Sequence, residues 1–489
     1  MTRADAPAPP PRAKAAAELY LAGRYVAGEG DVVPVTSPVT GEHLADPAQP
    51  SGAQIDRAVA AARRAYDDYS RWSTHERAAL CHRIADGIRA DREELARLTT
   101  LEQGKPIHEA RDDVEDSAAI FEDAAEDAKR LYGETIPSTD RDKRMITFRS
   151  PVGVWAGITP WNFPLMIMVE FLGPALATGN AIVSKPPVET PLVCLRLGGI
   201  LTEAGVPEGL VSILPGGGAV GGTLVRHRGI DAVGFVGSSA TGEKIVSTMG
   251  LKRSIMEMSG NGPLVVCADA DLEKAAAAAT FGAYWNAGQV CCASERVIVD
   301  ASVHDDFVAA CVEAAAAVRL GDPFDEKVTL GPLNNEPTAA KMDRHLADAV
   351  ARGGRVVLGG GRARGFPTDL YYSYTLLDGV TPDMLVAREE SFGPVLPILT
   401  GAGDEEILRL ANASELGLQA AVFTTSLSRA FRYGEGLRAG SVVVNESTDY
   451  FEGAQPFGGA AGTRTGWGRV GGLAQLRDMT DLRTMVITL

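Results

Sequence analysis

The segment VGVWAGITPWNFPLMIMVEFLGPALATGNAIVSK, residues 152–185, begins with a short apolar run and continues into a long apolar stretch that ends in a second run. The runs Val152–Ile158 and Ala181–Ser184 have the length of buried strands. The stretch Leu165–Val183 contains a glutamate and two glycine-containing breaks, which predict a buried helix and a strand and argue against a membrane span. A strand, a helix and a second strand in succession are typical of a parallel sheet flanked by helices.

The same alternation continues toward both ends of the chain. Apolar runs at 211–214 and 232–236 alternate with helical patterns, and a second series follows residue 257: Leu264–Cys267, Val297–Val299, Arg355–Leu358, Ala421–Thr424 and Ser441–Asn445. Nearer the N-terminus we expect short strands at about 17–48 and long helices at Ser51–Arg71, Thr74–Gly104 and about 106–132. Two α/β series in 489 residues predict two α/β domains with a cleft between them, where sites commonly form.

Composition excludes several function classes. A formal net charge of −16 with no basic run argues against nucleic acid and anionic membranes as partners. The six cysteines form no Cys-x-x-Cys pair and no zinc-like cluster with histidine, so we expect no metal site. Reduced thiols indicate a cytoplasmic protein, and the Pro- and Ala-rich segment Met1–Lys14 predicts a loose arm rather than a targeting signal.

Two residues are candidates for covalent catalysis. In NAGQVCCASER, residues 286–296, Cys291 follows a Gly-Gln turn and precedes a β-rich run, as a presented nucleophile would. Most cysteines are small buried hydrophobic residues, however, and the motif alone does not separate the two interpretations. Glu257 lies between apolar residues at a predicted strand end, which suits either a general base or a carboxylate paired with a nearby Lys or Arg.

Turns after the predicted strands supply further candidates. Asn162, in Trp-Asn-Phe-Pro, either donates to a developing oxyanion or caps a turn. Lys185 ends a strand, and the Gly/Ser turn in Phe235–Gly242 precedes a helix whose first N–H groups suit a phosphate. Gly216–Gly221 matches GxGxxG, but no acidic residue ends a strand about 20 residues later, so we do not assign it as a dinucleotide fingerprint.

Seven motifs, in this order, resemble the aldehyde dehydrogenase superfamily: Pro160–Pro164, Lys185-Pro186, Phe235–Gly242, Glu257, Gly288–Cys291, Glu390–Pro394 and Pro456–Gly459. The resemblance runs from about residue 20 to the C-terminus. It implies an α/β fold with a Rossmann-type cofactor-binding domain (residues 1–128 and 152–257) and an α/β catalytic domain (258–477). A small β oligomerisation arm (129–151 and 478–489) would complete a homodimer or homotetramer.

The same resemblance implies NAD(P)-dependent oxidation of an aldehyde to a carboxylic acid. Cys291 would attack as the thiolate, with the Asn162 amide and the Cys291 backbone N–H stabilising the oxyanion. Hydride transfer to the nicotinamide would leave a thioester, which Glu257 would hydrolyse by activating water. The Gly-Gln-x-Cys spacing selects Cys291 over Cys292, and CoA-acylating relatives lack the base at the position of Glu257.

The cofactor contacts carried over from the family are Ile158, Trp161, Lys185, Gly218, Phe235, Gly237, Ser238, Glu390 and Phe392. Many NAD-preferring members have a ribose-binding Glu at the position of Val188. The missing carboxylate removes a hydrogen-bond partner for NAD and a repulsion against the 2′-phosphate of NADP. Glu189 is a partial substitute in the alternative interpretation, so NAD or NADP is the expected cofactor.

The chain departs from the family pattern at two further places. Ser259 occupies a position that is normally glycine, which restrains the loop after Glu257. Residues 460–469 are about two residues longer than the common version, and the sequence suggests no function for them.

The substrate is predicted from charge. Relatives that oxidise succinic semialdehyde carry an Arg where this chain has Glu170, which argues against an anionic aldehyde. Asp112 and Asp116 share a helix face that, by alignment, borders the substrate entrance. Aromatic candidates for the tunnel are Trp285, Tyr450, Phe451 and Phe457, and rings with carboxylates suit an ammonium or guanidinium group. We therefore predict a cationic aminoaldehyde.

Other interpretations remain open at this point. The acidic helix face has the pattern of a solvated surface, Glu170 has an alternative role as the partner of a tunnel Lys or Arg, and an aromatic or medium-chain aldehyde is the competing substrate. A cysteine hydrolase or thioesterase without redox chemistry, or a non-catalytic relative, represents another class. Failure to bind a nicotinamide cofactor would identify the hydrolase.

Overall fold

The computed structural model describes residues 17–489, so the predicted N-terminal arm, Met1–Lys14, lies outside the described residues. Its strands are β1 Leu19–Leu21, β2 Arg24–Val26, β3 Val35–Thr36, β4 His43–Ala45, β5 Thr135–Ile136, β6 Lys143–Pro151, β7 Val154–Ile158, β8 Ala181–Lys185, β9 Val211–Ile213, β10 Ala232–Val236, β11 Arg253–Glu257, β12 Pro263–Val266, β13 Arg296–Asp300, β14 Arg355–Leu358, β15 Thr375–Asp378, β16 Val395–Gly401, β17 Gln419–Phe423, β18 Ser441–Val444, β19 Gly466–Trp467 and β20 Thr480–Thr488.

The α-helices are α1 Gly52–Tyr69, α2 Thr74–Ala90, α3 Arg92–Gln103, α4 Ile107–Ala128, α5 Pro164–Thr178, α6 Pro191–Glu203, α7 Gly218–Arg226, α8 Ser239–Met249, α9 Leu272–Tyr284, α10 His304–Ala315, α11 Glu336–Ala351, α12 Leu385–Arg388, α13 Gly403–Ala411, α14 Leu427–Gly436 and α15 Gly472–Asp478. Capping boxes begin α1 and α2, because Ser51 and Ser73 accept from the backbone three residues on. The single helix predicted over 74–104 is wrong: Asp91, with φ −105° and ψ 16°, separates α2 from α3.

The first sheet has the strand order β19-β11-β10-β7-β8-β9-β1-β2. Strands β7 to β11 run parallel, and every residue of β7, β8 and β10 is buried, as continuous apolar runs require. The chain builds outward from β7 to β9, then returns to place β10 on the other side of β7. This reversal opens a crevice at the carboxyl ends of β7 and β10, where open α/β sheets bind ligands.

The second sheet has the order β14-β15-β16-β13-β12-β17-β18 and is parallel except at β14. The two sheets confirm the predicted α/β class. A third, three-stranded sheet pairs β20 with β6 from Thr480↔Pro151 to Thr488↔Lys143, and β5 lies on the far side of β6. Within residues 17–489, no helix is long and apolar enough to cross a membrane.

Candidate active site

Asn162 lies in the turn between β7 and α5 and is 2% exposed. Its Nδ2 donates to the Gln289 carbonyl at 3.0 Å, and Asn286 Nδ2 donates to the Asn162 carbonyl at 3.1 Å. These bonds fix the amide against the loop that carries Cys291. One N–H of the Asn162 amide is used in this way, and the other stays available to a ligand.

The loop before Cys291 has an unusual backbone. Asn286, Ala287 and Gly288 have φ values of 48°, 56° and 70°, in the left-handed region. A Cβ on Gly288 would lie 2.3 Å from the Gly393 carbonyl oxygen, so glycine is required there. The loop presents Cys291 to a cavity, whereas Cys292 is buried with its Sγ 3.8 Å from Asp449 Oδ1.

Glu257, the last residue of β11, lines the same cavity as Asn162 and Cys291, and the cavity measures about 190 Å³. Burial raises the pKa of Glu257 to about 7, and a hydrogen bond with the Cys291 thiol moderates the increase. Its Oε1 has no hydrogen-bond partner among residues 17–489. The pKa of Cys291 is raised well above its ordinary value by its hydrogen bond with Cys292, by burial and by the Glu257 charge. The resting thiol is therefore protonated, with a carboxylate of near-neutral pKa beside it.

Glu390 and Phe392 also line this cavity. Glu390 Oε1 accepts from the Gly260 N–H at 2.9 Å, and Trp161 packs edge-on against Phe392 with ring centroids 5.5 Å apart. Lys341 and Thr338, both on α11, line it too. These two residues could not be predicted from the sequence, because no motif surrounds them and α11 reaches the cavity only in the folded chain.

A second cavity of about 490 Å³ continues from the first, since both are lined by Pro160, Val236, Gly237 and Ser238. It contains the other predicted cofactor residues, Ile158, Lys185, Gly218 and Phe235. Lys185 Nζ donates to the Gly216 carbonyl at 2.8 Å, and burial lowers its pKa to about 8. Ser238 caps α8, whose first N–H groups suit a phosphate. Two adjoining cavities with a helix N-terminus at their shared lining fit an extended dinucleotide.

The second cavity is rich in basic side chains. Arg226 and Lys244 line it, together with Val188 and Glu189. No ion pair to the Arg226 or Lys244 side chain occurs within residues 17–489. Three basic side chains, counting Lys185, therefore share the cavity with a single carboxylate.

Asp116 and Trp285 lie together in a third cavity of about 600 Å³, which Asp112 also lines. Trp285 stacks on Phe281 with centroids 5.7 Å apart and packs against Phe163, the residue after Asn162, at 5.2 Å. The indole thus lines this acidic, aromatic cavity and also packs against the residue that follows Asn162. Burial and neighbouring carboxylates raise the pKa of Asp116 to about 6.

Glu170 and Phe451 line a separate small cavity beside Asp123. Glu170 is 6% exposed, and its carboxylate has no ion pair in the described part of the chain, which removes the predicted alternative of a Lys or Arg partner. Burial and the charges of Glu257 and Asp113 raise its pKa well above the ordinary value.

The remaining aromatic candidates lie in two different environments. Phe457 is buried and packs edge-on against Phe451 with centroids 5.5 Å apart. Tyr450 is exposed, donates its hydroxyl to Glu452 at 2.6 Å and lines none of the cavities described here. The structure therefore brings Phe451 and Phe457 together and leaves Tyr450 at the surface.

The longer segment 460–469 acts as a structural link. Within it, β19 pairs antiparallel with β11, so that Gly466 lies opposite Glu257, and the Thr465 carbonyl accepts from the Met258 N–H at 2.9 Å. The segment 460–469 therefore supports the strand that ends in Glu257.

Ser259, in the loop after Glu257, is held by a separate contact: its Oγ accepts from the Ser239 N–H at 3.3 Å.

Comparison with known proteins agrees with this geometry. The sequence model of the aldehyde dehydrogenase family matches residues 25–485. The NADP(+) succinate-semialdehyde dehydrogenase of Escherichia coli K12 is 36% identical over 95% of this chain and 96% of its own length. The betaine aldehyde dehydrogenase of Cereibacter sphaeroides is 38% identical over 97% and 98%. A mutant of the P. syringae indole-3-acetaldehyde dehydrogenase, solved with NAD+ and IAA, superposes with a TM-score of 0.94 at 36% identity, covering 97% of both chains.

Proposed function

The chain belongs to the aldehyde dehydrogenase family, and we propose that it oxidises a cationic aldehyde to the carboxylic acid with Cys291 as nucleophile and Glu257 as base. It is an NAD(P)-dependent aldehyde dehydrogenase; the residue roles and the substrate class are the proposal. The observation that carries the residue roles is the convergence of Asn162, Glu257 and Cys291 on one cavity.

The first step is activation of the nucleophile. Cys291 is a thiol at rest, and the adjacent Glu257 has a pKa of about 7, so it accepts the thiol proton when the aldehyde arrives. The thiolate adds to the carbonyl carbon, and the negative charge moves to the carbonyl oxygen. The free N–H of Asn162 and the backbone N–H of Cys291 donate to that oxygen.

A nicotinamide dinucleotide held by Lys185, Ser238 and Glu390 would supply the hydride acceptor, and loss of hydride from the adduct would leave a thioester on Cys291. Once the proton taken from Cys291 has passed to solvent, Glu257 takes a proton from water as the water attacks the thioester. The carbon–sulfur bond breaks, the acid leaves and the thiolate receives a proton from Glu257. Burial of Glu257 is what gives it a pKa suited to both proton transfers near neutral pH.

The proposed cation on the substrate follows from uncompensated carboxylates. Glu170 is buried without a cationic partner in residues 17–489, and it lies near the charge of Glu257. Asp112 and Asp116 occupy a cavity with the stacked Phe281–Trp285 pair. An ammonium group in the cavity of Asp112 and Asp116 would relieve the repulsion between those two carboxylates and stack against the rings. An ammonium group beside Glu170, in its separate cavity, would stabilise the ionised carboxylate. An anionic aldehyde would add to that repulsion.

Two relatives are named for aldehydes of opposite charge. The E. coli relative is named for succinate semialdehyde, an anion, and the C. sphaeroides relative for betaine aldehyde, a cation. The charge distribution supports the second type for this chain. An aromatic or medium-chain aldehyde is the second candidate, because Trp285 and Phe281 line one cavity and Phe451 lines another, and these rings offer apolar surface to a neutral chain.

We propose NADP as the preferred cofactor because of the charges that line the second cavity. The second cavity is lined by three basic side chains, those of Lys185, Arg226 and Lys244. Val188 occupies the position at which a carboxylate would repel a 2′-phosphate. Glu189 is the opposing charge. This preference is independent of the residue roles given above.

The three-stranded sheet supports a homo-oligomer. Exposed apolar side chains line β20 and its neighbours: Leu482, Met485, Val486, Ile487, Leu489, Phe148 and Ile136. Such a patch is unusual on a monomer and suits a second copy of the chain. Light scattering after size exclusion measures the assembly; a variant truncated after Met479 that keeps the assembly of the full chain would contradict this role.

Reduction of NAD or NADP, followed by absorbance, tests the function directly. The panel consists of 4-aminobutanal, succinic semialdehyde, benzaldehyde and hexanal with each cofactor. We expect the highest kcat/KM for 4-aminobutanal with NADP. A preference for succinic semialdehyde would refute the cationic substrate, and no reduction with any aldehyde would refute the enzyme function.

A further inference from the structure

Glu295 is a buried carboxylate between the two halves of the site. It lies four residues after Cys291, immediately before β13, and is 3% exposed. Its Oε2 accepts from the Ser391 N–H at 2.7 Å and its Oε1 from the Phe392 N–H at 2.8 Å. One carboxylate therefore holds two successive backbone groups of the turn that carries Glu390 and Phe392.

That turn has a conformation that needs support. Phe392 has φ 55°, in the left-handed region that a bulky side chain seldom adopts, so the neighbouring structure must stabilise it. The Glu295 carboxyl group supplies that support through its two hydrogen bonds, although burial and the Glu390 charge raise its pKa to about 7. Ser391 is also held from the other side, because its hydroxyl lies 3.1 Å from His345 Nδ1.

Glu295 itself does not line the reaction cavity, whereas Cys291, Glu390 and Phe392 do. Its effect on a ligand must therefore pass through the turn. Gly288 also lies close to the turn, since a Cβ on it would be 2.3 Å from the Gly393 carbonyl oxygen. Glu295 thus links the loop of Cys291 by hydrogen bonds to the turn that carries Glu390 and Phe392.

We propose that Glu295 is a positioning residue that fixes the Glu390–Phe392 turn relative to Cys291, and so holds the nicotinamide half of the cofactor in register with the nucleophile. The inference rests on the proposed function, since it assigns that half of the cofactor to the cavity beside Cys291. Binding of the adenosine half, in the second cavity, does not depend on Glu295.

The variant Glu295→Gln tests this division. An amide retains one acceptor oxygen and turns an N–H₂ group toward the other backbone N–H, so one of the two bonds is lost. Binding of NAD, NADP, AMP and adenosine 2′,5′-bisphosphate is measured by titration calorimetry. We expect the Kd of the dinucleotides to rise by about tenfold and that of both adenosine fragments to stay unchanged. In turnover, KM for the dinucleotide rises more than kcat falls.

Glu102→Gln is the matched control. Glu102 is also a buried carboxylate that accepts from two successive backbone N–H groups, those of Leu192 and Val193, both at 2.8 Å. It supports the start of α6 and lines neither part of the cofactor cleft. Its replacement lowers the melting temperature without separating dinucleotide from fragment affinity. If Glu295→Gln does not fold, Glu295→Asp, which keeps the charge and shortens the reach, carries the same measurement.

A selective loss of dinucleotide affinity supports the inference. Equal losses for dinucleotides and fragments, or no loss at all, would overturn it and leave the proposed function intact. A wild-type chain that binds the fragments and neither dinucleotide would refute the proposed function, and the role of Glu295 with it.

Discussion

Glu257 and Cys291 face one cavity, and the carboxylate has a pKa near neutrality while the thiol is held protonated. Burial raises the pKa of Glu257 from 4.5 to about 7. A general base acts in its ionised form, which becomes populated as the pH rises through that pKa. We expect kcat to fall on the acid side of about pH 7. A kcat profile that stays level down to the ordinary pKa of a glutamate would contradict this role for Glu257.

Substitution distinguishes the roles of the two adjacent thiols, Cys291 and Cys292. Cys291→Ala removes the nucleophile and should abolish NAD(P) reduction, whereas Cys292→Ala, its matched control, should retain most of the activity. The reason is exposure: Cys291 reaches the cavity and Cys292 is buried against Asp449. Alkylation by iodoacetamide should follow the same order. Activity that survives in Cys291→Ala and is lost in Cys292→Ala would reverse the assignment.

Glu170→Gln tests the cationic substrate. The raised pKa of Glu170 favours its neutral form in the free protein, and a substrate ammonium would favour the ionised form. Its replacement should lower kcat/KM for 4-aminobutanal by about tenfold, which corresponds to roughly 1.4 kcal/mol, with hexanal unaffected. Glu115→Gln is the control, since it removes an equal charge from a surface ion pair of α4 with Arg89. An unchanged substrate ranking in Glu170→Gln would exclude Glu170 from substrate recognition.

Arg226→Ala tests the cofactor preference. Without the guanidinium, kcat/KM for NADP should fall by about tenfold while that for NAD stays constant, because only NADP carries the 2′-phosphate. Arg228→Ala, two residues away and outside the cavity, is the matched control. Val188→Glu should shift the preference further toward NAD. Parallel changes with both cofactors would exclude Arg226 as a phosphate partner.

Stability depends on an ion pair behind the site. Lys105 Nζ lies 2.6 Å from Asp113 Oδ2 and 3.7 Å from the centre of the Phe163 ring, and both charged side chains are buried. Lys105→Met leaves an unpaired buried carboxylate and should cost about 3–5 kcal/mol in the free energy of unfolding. The double variant Lys105→Met/Asp113→Leu should recover part of this loss in urea denaturation. A single variant as stable as wild type would show that the pair contributes nothing.

Much of the fold could be predicted because buried parallel strands are short continuous apolar runs. The run Ala181–Ser184 corresponds to β8, Ala181–Lys185, and the alternating elements confirmed the α/β class. The break between α2 and α3 could not be predicted, because Asp91 is compatible with a helix and no Gly or Pro marks the position. Tertiary packing decided that boundary.

The site residues show the same difference between what the sequence predicts and what tertiary packing decides. Residues within motifs, such as Asn162 and Glu257, were found from the sequence, and the structure places them in one cavity with Cys291. Lys341 and Phe281 were not, because each comes from a helix without a recognisable motif and reaches its cavity through packing. The surface position of Tyr450 was equally hidden, since an aromatic residue in a loop carries no signal of which way it faces.

The pairing of β19 with β11 has a consequence for the order of events during synthesis. The ribosome makes β11, with Glu257 at its end, about two hundred residues before its neighbour β19. Until then β11 is an unprotected edge strand with open backbone donors and acceptors. The first sheet acquires its last strand only when nearly the whole chain has emerged, so a nascent or prematurely terminated chain carries Cys291 without the finished support of its base.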